Sequence, residues 1–286
     1  MGCKWLIELV LFNSSNKMRL PGTLFLRNLV ERRSLLEQLV RRDFQQRFVG
    51  SAVGWIWGLI HPLVLLVCWW FVFVKVLHQK PEGAATDNYP LVLFAGMLPW
   101  LLFSDTVQRS ATAMLEQSNL ITKTVFPSEI LPVSVFLSSV VSHLLAVALM
   151  VAAAGVMLNQ ISIFLVLLPL YVFVLGLFAV GVGWIVASLH VFQRDTAQVM
   201  SVILQFWFWL TPIFFMEGKY PKKARILLTL NPMNYLVRGY RQMLLTSTWG
   251  WTDLRDLAVA AGFGVALFLI GGLFFRYMKR GFADVL

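Results

Sequence analysis

Few side chains in this 286-residue sequence could do covalent chemistry, and none of them is grouped for it. His61, His78, His143 and His190 are scattered, with no pair at metal-ligand spacing beside a Cys or carboxylate. No Gly-x-x-x-x-Gly-Lys-Ser/Thr loop is present to cradle nucleotide phosphates. No Gly-x-Ser-x-Gly elbow is present to raise a nucleophile. The sequence therefore reads as non-enzymatic, with no catalytic residue and no metal site. What remains acts without covalent bonds. Arg41, Arg42 and Arg47 form a cationic group suited to anionic headgroups. Asp105 and Arg109, four residues apart, share a helical face and can pair. His143 and His190 suit polar contacts between membrane helices.

Aromatic side chains are the other chemically active population: 11 Trp, 23 Phe and 6 Tyr. They cluster at Trp55, Trp57, Trp69, Trp70, Phe71 and Phe73, at Trp100 and Phe103, and at Phe206, Trp207, Phe208, Trp209, Phe214 and Phe215. Rings at both ends of an apolar span form ordinary interfacial belts. Four consecutive rings, Phe206 to Trp209, are distributed around a helix, so some must face protein or a lumen. Flat rings beside polar groups can stack on the apolar faces of sugar rings while hydroxyls stay wet. The candidate lumen lining is Trp55, Trp57, Trp69, Trp70, Phe73, Trp100, Phe206, Trp207 and Trp209.

The elements that must position these residues are membrane helices. The chain is 58% hydrophobic with a mean hydropathy of +0.73, and only 13% of it is charged, about half the usual share for a soluble domain. Long apolar stretches occupy 52–74, 90–115, 131–157, 162–192, 196–216 and 257–275. Most have the roughly twenty residues that a spanning helix needs. The expected fold is an all-α integral membrane protein of six transmembrane helices. The second stretch is the weakest, broken by Asp105, Gln108 and Arg109. Either these face a bundle interior or wet cavity, or the helix leaves the membrane near Ser104.

Residues 24–48 read as an amphipathic interfacial helix, with Leu29, Leu36, Leu39, Val40, Phe44 and Phe48 near helical spacing. Residues 1–51 then form a cytoplasmic or interfacial segment, and 52–286 the transmembrane domain. Met1-Gly2-Cys3 is an incomplete lipidation signal, because Leu6 stands where Ser or Thr is needed. Cys3 and Cys68 are too unlike in setting to be expected to pair.

Lys and Arg counts set the orientation. Residues 1–51 carry nine, and Arg276, Lys279 and Arg280 follow the last stretch, so both termini are expected in the cytoplasm. The net charge of +10 sits mostly at span margins, which favours headgroups over nucleic acid. Residues 217–255 break the rule, with seven cations expected outside: Lys219, Lys222, Lys223, Arg225, Arg238, Arg241 and Arg255. Two short helices at the outer interface, broken at Asn231-Pro232, fit this segment. Their cations would meet an anionic substrate or lipid phosphates. On the inner side, residues 117–130 form a loop in which Phe126-Pro127 precedes Glu129, the composition of a helix start. Phe126 would offer a partner an apolar knob.

In order along the chain, these segments resemble ABC-2-type permeases of the polysaccharide-export branch. Arg42-Asp43, Arg47, Ser51, Gly54, Trp57 and Pro62 are similar to that family's entry. Asn119, Lys123, Phe126 and Pro127 resemble its stretch before the third helix. Arg194-Asp195, Gln205 and Thr211-Pro212-Ile213 resemble its fifth-helix signature. Asn231-Pro232 and Tyr240-Arg241 resemble its last extracellular segment.

The resemblance implies a homodimer in the bacterial cytoplasmic (inner) membrane, docked on two copies of a cytoplasmic ATPase that carries the ATP and Mg. It implies coupling through residues 119–130, with Lys123, Phe126, Pro127 and Glu129, and a second contact at Arg194 and Asp195. It places a cytoplasmic gate at Arg41, Arg42 and Arg47, and an outer gate at Asn231, Pro232, Tyr240 and Arg241. The implied cargo is a lipid-linked polysaccharide such as O-antigen, capsule or a teichoic acid-like polymer.

An ABC-2 exporter of small lipids or drugs would share this fold, and dense aromatics favour sugar over it. A secondary carrier should show inverted repeats, and no clear repeat is visible.

Overall fold

The computed structural model describes residues 33–47, 54–78, 86, 88–123, 126–159, 161–214, 220–246 and 248–285. Among these the regular structure is entirely helical. The helices are α1 (Arg33–Gln46), α2 (Trp57–Trp70, running on through π turns at Phe71–Val76), α3 (Tyr89–Glu116), α4 (Ser118–Lys123), α5 (Ile130–Leu158), α6 (Leu168–Phe192), α7 (Thr196–Leu210), α8 (Lys222–Leu230), α9 (Pro232–Leu245), α10 (Trp251–Met278) and α11 (Phe282–Val285). Among the described residues, four helical segments are long and apolar enough to cross a membrane: Tyr89–Glu116, Ile130–Leu158, Ile163–Phe192 and Trp251–Gly281.

Helix α3, the weakest stretch by hydropathy, is the centre of the bundle. Of its most apolar window, 78% is buried, against 22–39% for the other three long helices. A helix surrounded by protein need not be apolar toward lipid, so Asp105, Gln108 and Arg109 are tolerated on the face that meets a cavity. The helix runs unbroken past Ser104 to Glu116.

Helices α6 and α10 cross almost backbone to backbone. A Cβ at Gly271 would fall 2.1 Å from the Gly181 carbonyl oxygen, and one at Gly181 would fall 2.5 Å from Leu267 backbone. Small residues allow this approach where no hydrophobic drive separates helix from lipid.

The fifth apolar stretch is shorter than its composition implies. Helix α7 stops at Leu210 after 15 residues, about 22 Å at 1.5 Å per residue. Pro212 lacks an N–H and pushes Thr211 to extended geometry (φ −88°, ψ 134°), which ends the helix.

The two short helices expected after it are present as α8 and α9, divided at Asn231. Asn231 Oδ1 caps α9 by accepting from Met233 N–H at 3.0 Å, and Pro232 occupies the first turn. Helix α9 is not a surface element. Met233, Val237, Tyr240 and Met243 are fully buried.

Candidate functional site

A cavity of about 610 Å³ opens where α1, α2, α3, α5 and α7 meet. One end is ionic. Arg47, in the turn after α1, lies 3.2 Å from Asp105 and 3.8 Å from Asp43; Arg109 lies 2.5 Å from Asp43 and 3.9 Å from Asp105. Ser139 of α5 accepts from Arg47 Nη2 at 2.8 Å and donates to Asp105 Oδ2 at 2.6 Å. Two arginines and two aspartates cancel, so Arg47 is not a free cation waiting at an entrance. It ties the amphipathic helix to α3 and α5. Arg42 donates to Gln117 Oε1, fastening the same helix further along, and Arg41 is exposed.

The other end is aromatic. Trp57, Trp100 and Phe208 line it with Pro62, Leu65 and Leu204. Trp100 is buried, with its ring 5.5 Å from Phe208 and 6.3 Å from Trp207. Trp207 stands edge-on to Phe103 at 5.3 Å and donates Nε1–H to Asn231 Oδ1 at 3.0 Å, so it is a packing residue held by the α9 cap. Phe206 and Trp209 point outward, 67% and 54% exposed. Phe73 is buried and stacks on Phe214 at 4.7 Å, and Lys75 sits 5.6 Å from the Trp70 ring. The side chains of Trp55, Trp69 and Lys123 lie outside the described residues.

Phe208 belongs to the aromatic cluster of the sequence but not to its candidate lining, although the signal was available. Ser201, Leu204, Gln205 and Phe208 recur at i, i+3, i+4 and i+7 and all line the cavity on one face of α7. His143 also lines it and hydrogen-bonds the Tyr240 hydroxyl at 3.0 Å, an interhelical polar contact. Among the described residues, no three His, Cys, Asp or Glu side chains converge on a point where a metal could sit.

Three of the cations of the 217–255 segment, Arg238, Arg241 and Arg255, make internal ties. Arg225 is exposed and donates to the Tyr220 carbonyl at 3.3 Å, and Lys219 and the side chains of Lys222 and Lys223 lie outside the described residues. Arg241 donates to the carbonyls of Val92 (3.1 Å), Pro212 (2.8 Å) and Ile213, clamping the break after α7 to the start of α3. Gly96 makes room for it, because a Cβ there would meet the guanidinium at 2.7 Å. Arg238 and Arg255 both pair with Asp256. On the opposite side of the sequence pattern, Phe126 is half-buried against the core instead of projecting freely, while Pro127 is buried. Glu129 pairs with Lys279 at 2.5 Å. Arg194 and Asp195 are exposed between α6 and α7.

Residues 34–245 match the ABC-2 type transporter family. The chain belongs to that family. It is similar to the O-antigen export system permease protein RfbA of Myxococcus xanthus, 28% identical over 260 residues that cover 90% of this chain and 97% of the relative. It is 24% identical to the protein of the same name from Klebsiella pneumoniae, over 88% of this chain and 95% of the relative. It is 22% identical to the polysialic acid transport protein KpsM of Escherichia coli, over 73% and 81%. As an ABC-2 type transporter with several long apolar helices, the chain is a multi-pass membrane permease and not a catalytic enzyme. The match begins at the α1 helix and ends with α9, so it encloses the whole cavity.

Proposed function

We propose that this chain is the permease subunit of an ATP-driven exporter that moves a lipid-linked polysaccharide across the bacterial cytoplasmic membrane. The observation that carries this reading is the cavity, with an aromatic wall of Trp57, Trp100 and Phe208 and an ionic end of Arg47, Asp105 and Arg109. An apolar ring face can slide past such a wall while sugar hydroxyls meet the polar end. The names of the similar proteins, which concern O-antigen and polysialic acid, support the same class of cargo.

In this reading six helices span the membrane, with α2 and α7 joining the four long ones, and both termini lie in the cytoplasm. Two copies pair, so that two cavities enclose one path, and each copy docks on one ATPase subunit that carries ATP and Mg. This chain itself binds no cofactor. Helix α1, with Arg41, Arg42 and Arg47, gates the cytoplasmic side. Lys123, Phe126, Pro127 and Glu129, with Arg194 and Asp195, receive the ATPase movement. Asn231, Pro232, Tyr240 and Arg241 build the outer gate.

The test is deletion of the protein in its own cell, followed by extraction of membrane lipids. Accumulation of a polymerised, lipid-linked glycan on the inner face is expected. Normal surface glycan with no such accumulation would refute the assignment.

A further inference from the structure

The turn that follows α10 contacts both the 126–129 loop and the end of α6, from which the 193–195 loop leaves. Lys279 Nζ lies 2.5 Å from Glu129 Oε2, and the Glu129 carbonyl accepts from Trp184 Nε1 at 3.0 Å. The 126–129 loop is thereby held from α6 on one side and from the end of α10 on the other. Three residues beyond Lys279, Phe282 is only 2% exposed. Its ring centroid lies 5.4 Å from Phe275 and 6.0 Å from Phe192. Phe192 ends α6 and leads directly into Gln193, Arg194 and Asp195. Gly281 rests on the Phe192 ring, where a Cβ would approach to 3.3 Å. The segment Lys279–Phe282 thus carries an ion pair to Glu129 and a buried ring against Phe192, the residue from which the 193–195 loop leaves.

We propose that Lys279 to Phe282 form a brace that fastens the 126–129 and 193–195 loops to the α6–α10 pair, with Lys279 and Phe282 as positioning residues for coupling. This rests on the exporter reading, in which those loops meet the ATPase. Helices α6 and α10 are in backbone contact at Gly181 and Gly271, and in this proposal that close crossing makes them one lever. With both loops pinned to that body, a push on either is delivered to the same lever. A partly exposed ion pair adds little to stability, and Lys279 and Glu129 are 38% and 22% exposed. Its contribution is therefore geometric, and the aromatic contact supplies the second point of attachment.

The brace is tested first without any partner. Full-length permease with Cys3→Ser and Cys68→Ser is spin-labelled at positions 122 and 193 in nanodiscs, and the distance distribution is measured. Phe282→Ala and Lys279→Glu are expected to broaden it, and a Glu129→Lys/Lys279→Glu exchange to narrow it again. Unchanged widths in both single variants would overturn the brace. The complex with its ATPase is then reconstituted, and polymer exported per ATP hydrolysed is read. A several-fold loss in Lys279→Glu, recovered in the exchange variant at equal protein abundance, is expected. Broadened distances with an unchanged ratio would overturn the role in coupling. A wild-type chain that neither binds an ATPase nor exports glycan would instead refute the exporter reading, whatever the distances show.

Discussion

Replacing Arg241 by Leu removes a clamp whose strength follows from its contacts. The guanidinium donates to three backbone carbonyls, those of Val92, Pro212 and Ile213. Polar contacts between membrane helices average about 0.6 kcal/mol, which would give about 2 kcal/mol for three. Hydrogen bonds with a charged partner reach about 1.5 kcal/mol or more, which would give about 4–5 kcal/mol. The side chain is only half-buried, so the expected loss is about 2–4 kcal/mol, because water can partly satisfy the abandoned carbonyls. Lys in its place should recover less than half of this, since an ammonium cannot present a planar fork to three acceptors. Gly96→Ala attacks the same clamp from below, as its Cβ would meet the guanidinium at 2.7 Å. Reversible unfolding of the purified chain in mixed micelles, followed by tryptophan fluorescence, measures all three. A loss below about 0.5 kcal/mol for Arg241→Leu, the range of an ordinary surface substitution, would refute the clamp.

The ionic cluster predicts non-additivity. Asp43→Asn and Arg109→Gln should each destabilise the docking of α1, and the double variant should recover about 1–2 kcal/mol of the summed loss; simple addition in a double-mutant cycle would contradict the pair seen at 2.5 Å. Among the rings of α7, Phe208→Ala should slow export at constant abundance, while exposed Phe206→Ala should not. Equal effects on export would mean that the cavity wall does not touch cargo. Gly271→Leu should lower the yield of folded protein sharply, because its Cβ has no space against the Gly181 carbonyl; normal yield and Tm would contradict the close crossing.

What could be read from sequence and what could not divide along local and distant causes. The break at Asn231-Pro232 was legible, because an Asn cap and a first-turn proline are chemistry within one helical turn. The Asp105–Arg109 pair was legible at i, i+4, yet its sharing with Asp43 and Arg47 depends on where α1 docks. The surplus of cations in 217–255 looked like a surface for anions. The acceptors of Arg241 are backbone carbonyls up to 149 residues away, and a sequence does not display carbonyls. Of the four rings from Phe206 to Trp209, which one meets the cavity depends on the rotation of α7. The polar neighbours Ser201 and Gln205 recorded that rotation. Phe126 shows the limit from the other side: its position before a helix was plain, but its half-burial comes from packing that no local pattern carries.

The central claim is that this permease exports a lipid-linked glycan only when an ATPase drives it. The direct measurement is translocation of a fluorescent lipid-linked polysaccharide in proteoliposomes holding this chain with or without its ATPase. Transport should require both the second subunit and ATP with Mg. Transport by this chain alone, or ATP-driven movement of a small lipid but not of the glycan, would contradict the account.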